Sequence, residues 1–99
     1  MYARVTTLEG SPERIDDGTR HVREQVLPQL QQMDGFKGFI SLGDRRSGKM
    51  LGVVLWESEE ALQATEEKTA AIRGGAREAI GATVAGVEIY EVTVFELPS

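Results

Sequence analysis

The sequence predicts an α+β domain in the order β-α-β-β-α-β, a four-stranded antiparallel sheet with both helices on one face. Three observations carry that expectation. Met50 to Glu57 places six large apolar residues, including the only tryptophan, in eight positions without polar alternation, which reads as a strand buried on both faces. Two stretches with apolar residues at helical spacing lie on either side of a strand pair. Strand-like runs open and close the chain. The order is the ferredoxin-like arrangement.

Tyr2 to Leu8 is rich in β-branched and aromatic residues and stops at Glu9-Gly10, a first strand. Ser11-Pro12-Glu13 then supplies an N-cap serine, a proline at the first helical position and an acidic first turn. The helix that follows carries Ile15, Val22, Val26, Leu30 and Met33 on one stripe, weakened early by Gly18 and kinked by Pro28. Asp34-Gly35 closes it, and Phe36 to Leu42 is a second strand. Gly43 to Lys49 is a polar hairpin turn whose return strand is Met50 to Glu57. Ser58 caps the next helix, whose inner face runs from Ala61 and Leu62 through Thr65, Thr69, Ile72, Ala76 and Ile80 to Thr83. Gly74-Gly75 predicts a break or bend in it. Val84 to Leu97 reads as one long last strand, with a bulge or a second buried face where the apolar parity changes near Tyr90.

Ninety-nine residues are read as one domain, 1–99, and a chain this small gains from burial against a partner. A net charge of −5 argues against nucleic acid and anionic membrane as partners. With no cysteine, disulfides, thiolate metal sites and cysteine nucleophiles are excluded. One histidine and scattered carboxylates lack metal-ligand spacing, so no metal is expected. No signal-peptide pattern opens the chain and no apolar run approaches the roughly 20 residues that span a bilayer, so a cytoplasmic location is expected.

Asp34-Gly35-Phe36-Lys37-Gly38-Phe39, the strand end Gly52-Val53-Val54-Leu55-Trp56-Glu57-Ser58, and Glu59-Glu60-Ala61-Leu62-Gln63-Ala64 together resemble the antibiotic biosynthesis monooxygenase superfamily. The similarity in order and spacing runs over nearly the whole chain, with Asp34 in place of the common proline. It implies a homodimeric α/β barrel in which two sheets close face to face with the helices outside. A pocket for an apolar or aromatic molecule is implied between sheet and helices. It also implies oxygen insertion into electron-rich aromatics without a conventional cofactor. The superfamily's haem-degrading branch needs an asparagine, a second tryptophan and a histidine at positions that fall on Thr6, on Thr65 and close to Gly74 or Gly75. Haem degradation is therefore expected to be absent, since iron needs an axial donor.

The pocket candidates are Trp56, Phe36, Phe39, Arg4, Thr6 and Tyr90. Trp56 can stack on a flat ligand or simply fill the core, and Phe36 and Phe39 stand under the same alternative. Arg4 can clamp a carboxylate or phenolate, or pair with a glutamate of a neighbouring strand such as Glu88 or Glu91. Arg23 flanks the first helix stripe and can reach a pocket mouth. His21, off the apolar stripe, is read as a surface residue. A monooxygenase-like protein with no tightly bound cofactor is the preferred expectation. A non-catalytic ligand-binding or stress-related barrel is the alternative. Under the first, Arg4, Thr6 or Tyr90 converge on a cavity with Trp56; under the second, the cavity is apolar throughout or filled.

Overall fold

The computed structural model describes residues 1–98, so the expected domain range 1–99 runs one residue beyond it. Strands β1 (Tyr2–Glu9), β2 (Phe36–Gly43), β3 (Lys49–Trp56) and β4 (Thr83–Glu91) form one sheet in the order β2-β3-β1-β4, antiparallel at every pair. The fold is α+β and ferredoxin-like, as the apolar runs predict. β3, which has the longest apolar run, and β1 are the central strands.

Strand parity separates the two faces. Met50, Val54 and Trp56 of β3 join core clusters with residues of the helices, and so do Tyr2 and Leu8 of β1. The even positions of these two strands therefore face the helices. In the register, Ile40, Val53 and Val5 form one row on the opposite face, and Leu42, Leu51 and Thr7 form the next. Ile40 and Leu42 are 44% and 49% exposed there.

A register shift between Phe36 and Gly38 makes Lys37 a bulge against β3. Phe36 and Phe39 lie three residues apart, an odd spacing that an unbroken strand would send to opposite faces. The extra residue restores the phase, and both rings pack into one helix-side cluster with Val26, Leu30, Trp56 and Leu62.

Between β1 and β2 the chain makes a 3₁₀ turn (Pro12–Arg14), then α1 (Ile15–His21), a π-helical turn (Val22–Val26) and α2 (Leu27–Leu30). Ser11 stands at the N-cap position, but its hydroxyl makes no capping bond. The expected kink at Pro28 appears as the π turn before it, where Leu27 N–H reaches back five residues to the Val22 carbonyl. Proline has no N–H to continue the regular ladder, and a π turn absorbs the mismatch. Gly18 does not interrupt α1; it is buried beside Met50, where a Cβ would stand 2.9 Å from the sulfur.

The second helical region breaks at Thr65, not at the tandem glycines. α3 (Glu59–Ala64) is capped by the Ser58 hydroxyl, which accepts from Ala61 N–H, and α4 (Glu66–Ile80) runs unbroken through Gly74-Gly75. Thr65 sits at φ −102° and ψ 5°, and its hydroxyl bonds back to the Ala61 and Leu62 carbonyls, which competes with the helix ladder. The last strand is also shorter than expected and ends at Glu91. Glu91 pairs with Tyr2, and Val92 N–H reaches the Met1 carbonyl. The register shift in β4 falls between the Thr7 and Leu8 pairings, so Ala85, and not a residue near Tyr90, is the bulge. Val94, Phe95 and Leu97 lie outside the strand and are 80%, 52% and 70% exposed. No helix among the described residues is long and apolar enough to cross a membrane.

Two glycines separate required from tolerated backbone freedom. Gly35 has φ +85° and a Cβ there would fall 2.6 Å from Ala61 Cβ, whereas nothing lies within 4 Å of a Cβ built on Gly74. In urea unfolding, Gly35→Ala is expected to lose about 2 kcal/mol or more, and Gly74→Ala to gain about 0.5–1 kcal/mol. Equal effects at the two positions would contradict this account.

Candidate functional site

The helix-side core falls into two clusters. One gathers Ile15, Met50, Ile80 and Ala82 with Leu8; the other centres on Val26, Leu30, Trp56 and Leu62. Between them lies a narrow cleft of about 80 Å³, lined by members of both. Its floor is the sheet, with Arg4, Thr6 and Leu8 from β1, Phe39 and Ser41 from β2, and Gly52 and Val54 from β3. Its roof is the π turn, through Val22 and Val26, and one face of α4, through Thr69, Ile72, Arg73 and Ala76. A second, separate depression lies between the first helical region and the β2–β3 hairpin, lined by Thr19, Arg23, Leu27 and Arg45 and sharing Val22, Phe39, Ser41 and Met50 with the cleft. There Arg45 bonds Asp16 at 2.8 Å, tying the hairpin to α1, and that bond, with the guanidinium's charge, holds the Asp16 carboxyl below its usual range.

Along this apolar cleft runs an ionic chain, from the buried Arg4 to a Glu66 side chain that is 47% exposed. Arg4 is 1% exposed. Its Nη1 donates to Thr69 Oγ1 at 2.8 Å, and its Nη2 donates to the Leu62 carbonyl at 2.8 Å and pairs with Glu66 Oε2 at 2.6 Å. The other Glu66 oxygen, Oε1, accepts from Arg73 Nη2 at 2.8 Å. The break at Thr65 makes this possible: it presents the Leu62 carbonyl at the end of α3 and starts α4 so that Glu66, Thr69 and Arg73 fall toward the sheet. Burial draws the Arg4 guanidinium below its ordinary pKa, Glu66 opposes that shift and Arg73 adds to it. A guanidinium keeps its proton even so. The unit therefore holds two cations on one carboxylate. Arg4 Nε and Arg73 Nη1 are both buried and have no hydrogen-bond partner among the described residues.

The sequence candidates divide cleanly. Arg4, Thr6 and Phe39 line the cleft together. Trp56, fully buried, and Phe36 stand behind it in the core, ring centroids 6.1 Å apart and nearly edge-on at 76°. Tyr90 is 51% exposed on the opposite face, and its hydroxyl donates to Glu88 at 2.7 Å. That bond to a carboxylate raises its phenol pKa and makes it a weaker acid. Arg4 pairs with Glu66 and not with a neighbouring strand. Glu88 lies opposite Val5 on the far face, while the residue opposite Arg4 in β4 is Ile89. Glu66, Thr69 and Arg73 were not singled out by sequence reasoning. The available signal was a carboxylate and a guanidinium seven residues apart on the same helical face as the inner stripe.

Donor chemistry decides what the cleft can hold. Among its lining residues there is no imidazole, carboxylate or phenol, and its one thioether, Met50, is packed in the core against Ile80. These residues do not fit a haem iron. No group of three or more metal-ligating side chains occurs among the described residues.

The chain is similar to the uncharacterized protein Rv2557 of Mycobacterium tuberculosis, 44% identical over 92 residues, which is 93% of this chain but 41% of that protein. It thus spans about two-fifths of that relative's length. No family model matches the sequence. In structure it is similar to MhuD, a haem degrader of Mycobacterium tuberculosis solved with two haems in its active site, at a TM-score of 0.76 and 22% identity over 97% of this chain and 99% of that one. It is likewise similar to the ActVA-Orf6 monooxygenase of Streptomyces coelicolor, solved with nanaomycin D, at 0.74 and 16% over 99% and 92%. These likenesses show that the chain shares the fold of those two proteins. In this chain two arginines line the cleft.

Arg4 and Glu66 are expected to be strongly coupled. In a double-mutant cycle with Arg4→Met and Glu66→Gln, each single change destabilises, and the pair restores about 1 kcal/mol or more relative to the sum. Additive losses would show that the two groups do not support one another.

Proposed function

We propose that residues 1–99 form one cytoplasmic domain that works as a homodimer, binds an apolar or aromatic small molecule in the cleft between sheet and helices, and oxygenates it without a tightly bound cofactor. The observation that carries this reading is that Arg4, Thr69 and Arg73 line one cleft whose other walls are apolar. Such walls hold a flat substrate, and fixed donors among them set its orientation. Cations placed where charge develops stabilise the anion of an electron-rich aromatic, and that anion can reduce dioxygen itself. An anthrone and one dioxygen give an anthraquinone and one water, so no outside reductant is required. The similarity to ActVA-Orf6 supports the class of chemistry, and the donor set argues against the haem chemistry of MhuD.

A specific observation also favours the non-catalytic, ligand-binding reading. The cleft lining contains no side chain that exchanges a proton near neutral pH. The substrate would have to be acidic enough to ionise beside the arginines. An oxygen-electrode assay over a panel of hydroquinones and anthrones separates the two. Uptake of about one dioxygen per anthrone supports the oxygenase, following the stoichiometry above; binding without turnover across the panel supports the carrier.

The dimer is supported by the row of apolar side chains on the face away from the helices, Ile40, Val53 and Val5 beside Leu42 and Leu51, which a second copy would cover. Sedimentation at micromolar concentration is expected to give twice the 10.9 kDa chain mass, and Ile40→Glu to shift it to the single chain. A native protein that sediments only as the single chain contradicts the dimer.

A further inference from the structure

Resting on the reading of the cleft as a binding site, we propose that its ligand is a monoanion: an apolar or aromatic body bearing one carboxylate, which takes hydrogen bonds from Arg4 Nε and Arg73 Nη1. Three independent features converge on it. The first is charge. Arg4 and Arg73 share the single carboxylate of Glu66, at 2.6 Å and 2.8 Å, so the unit beside the cleft carries one net positive charge. The second is donors left over. Arg4 spends Nη1 and Nη2 on Thr69, Leu62 and Glu66, and Arg73 spends Nη2 on Glu66, which leaves one buried N–H position on each without a partner. A buried donor without an acceptor costs about 1–3 kcal/mol, and a carboxylate, with two acceptor oxygens, is the group suited to guanidinium donors. The third is location: both side chains line the same cleft, whose other walls include Val26, Leu30, Ile72 and Val54.

The net charge selects among acids. A carboxylate neutralises the pair, while a dianion would bring one charge too many into an apolar enclosure. A neutral alcohol of the same shape fills the walls but leaves the positive charge unmatched. Glu66 holds the two guanidiniums in place before ligand arrives, so little side-chain freedom remains to be lost on binding. It is a positioning residue, and Arg4 and Arg73 are the groups that touch ligand.

Calorimetric titration of the full chain with naphthalene-1-carboxylate and with 1-naphthalenemethanol tests the proposal. The acid is expected to bind about tenfold or more tighter than the alcohol, the scale of charge-assisted hydrogen bonds. Because Arg4 is central to the core, the informative variants are at Arg73, which is 17% exposed. Arg73→Gln is expected to lower the acid-over-alcohol affinity ratio to near one, and Arg73→Lys to keep part of the preference, with circular dichroism confirming the fold. Equal affinity for acid and alcohol in the native chain would overturn anion recognition and leave the cleft as a binding site. Failure of both to bind would overturn the binding site as well. A preference that survives Arg73→Gln undiminished would overturn the role given to Arg73.

Discussion

A guanidinium that is 1% exposed has to be answered by its surroundings, and the Arg4 side chain organises much of what lies around it. Removing a cation from water costs several kcal/mol unless opposite charge and hydrogen bonds replace the solvent. Here the replacements come from two separate helices: the Leu62 carbonyl at the end of α3, and Glu66 and Thr69 in the first turns of α4. Both are in reach because the chain breaks at Thr65. The sheet therefore holds the helices through Arg4 of β1 as well as through the apolar packing of Trp56 of β3 with Leu62 and Val26. An arrangement of this kind is a poor way to gain stability, since well-packed apolar residues often do as well in place of a buried ionic group. Its consequence is chemical: positive, donor-bearing side chains in the wall of a cleft that is otherwise greasy.

The two faces of the sheet are assigned different work by strand parity alone. On the helix side, the rows through Trp56, Val54 and Met50 make the two clusters and leave the cleft between them. On the other side, Ile40, Leu42, Val53 and Tyr90 meet no helix of their own chain, and the exposed Val94, Phe95 and Leu97 follow β4 without joining it. One bulge at Lys37 is what keeps Phe36 and Phe39 on the first side.

The sequence made the architecture legible because periodicity reports burial directly. The apolar run around Trp56, the stripe Ile15, Val22, Val26 and Leu30, and the Ser58 cap were all readable. Features set by competition between local bonds were not. The break at Thr65 depends on a hydroxyl bonding back to carbonyls, which outweighed the low helix propensity of Gly74-Gly75. The β1–β4 ladder stops at the Tyr2–Glu91 pair, and β-propensity in Val92 to Leu97 says nothing of strand pairing. The site was half legible for the same reason. Arg4, Thr6 and Phe39 stood out on strands, but Glu66, Thr69 and Arg73 gain meaning only once α4 is laid across β1. Trp56 marks the likeness to the fold and sits behind the cleft, not in it.

The central claim is that Arg4 is both a structural cation and a donor lining the cleft, and arginine-side-chain NMR addresses it most directly. With Nε labelled with nitrogen-15, the Arg4 Nε–Hε signal should be protected from solvent exchange in the free protein. It should move downfield on addition of naphthalene-1-carboxylate, and stay in place on addition of 1-naphthalenemethanol. An Arg4 Nε–Hε signal that exchanges as fast as those of surface arginines, or that does not respond to the bound carboxylate, would contradict the account.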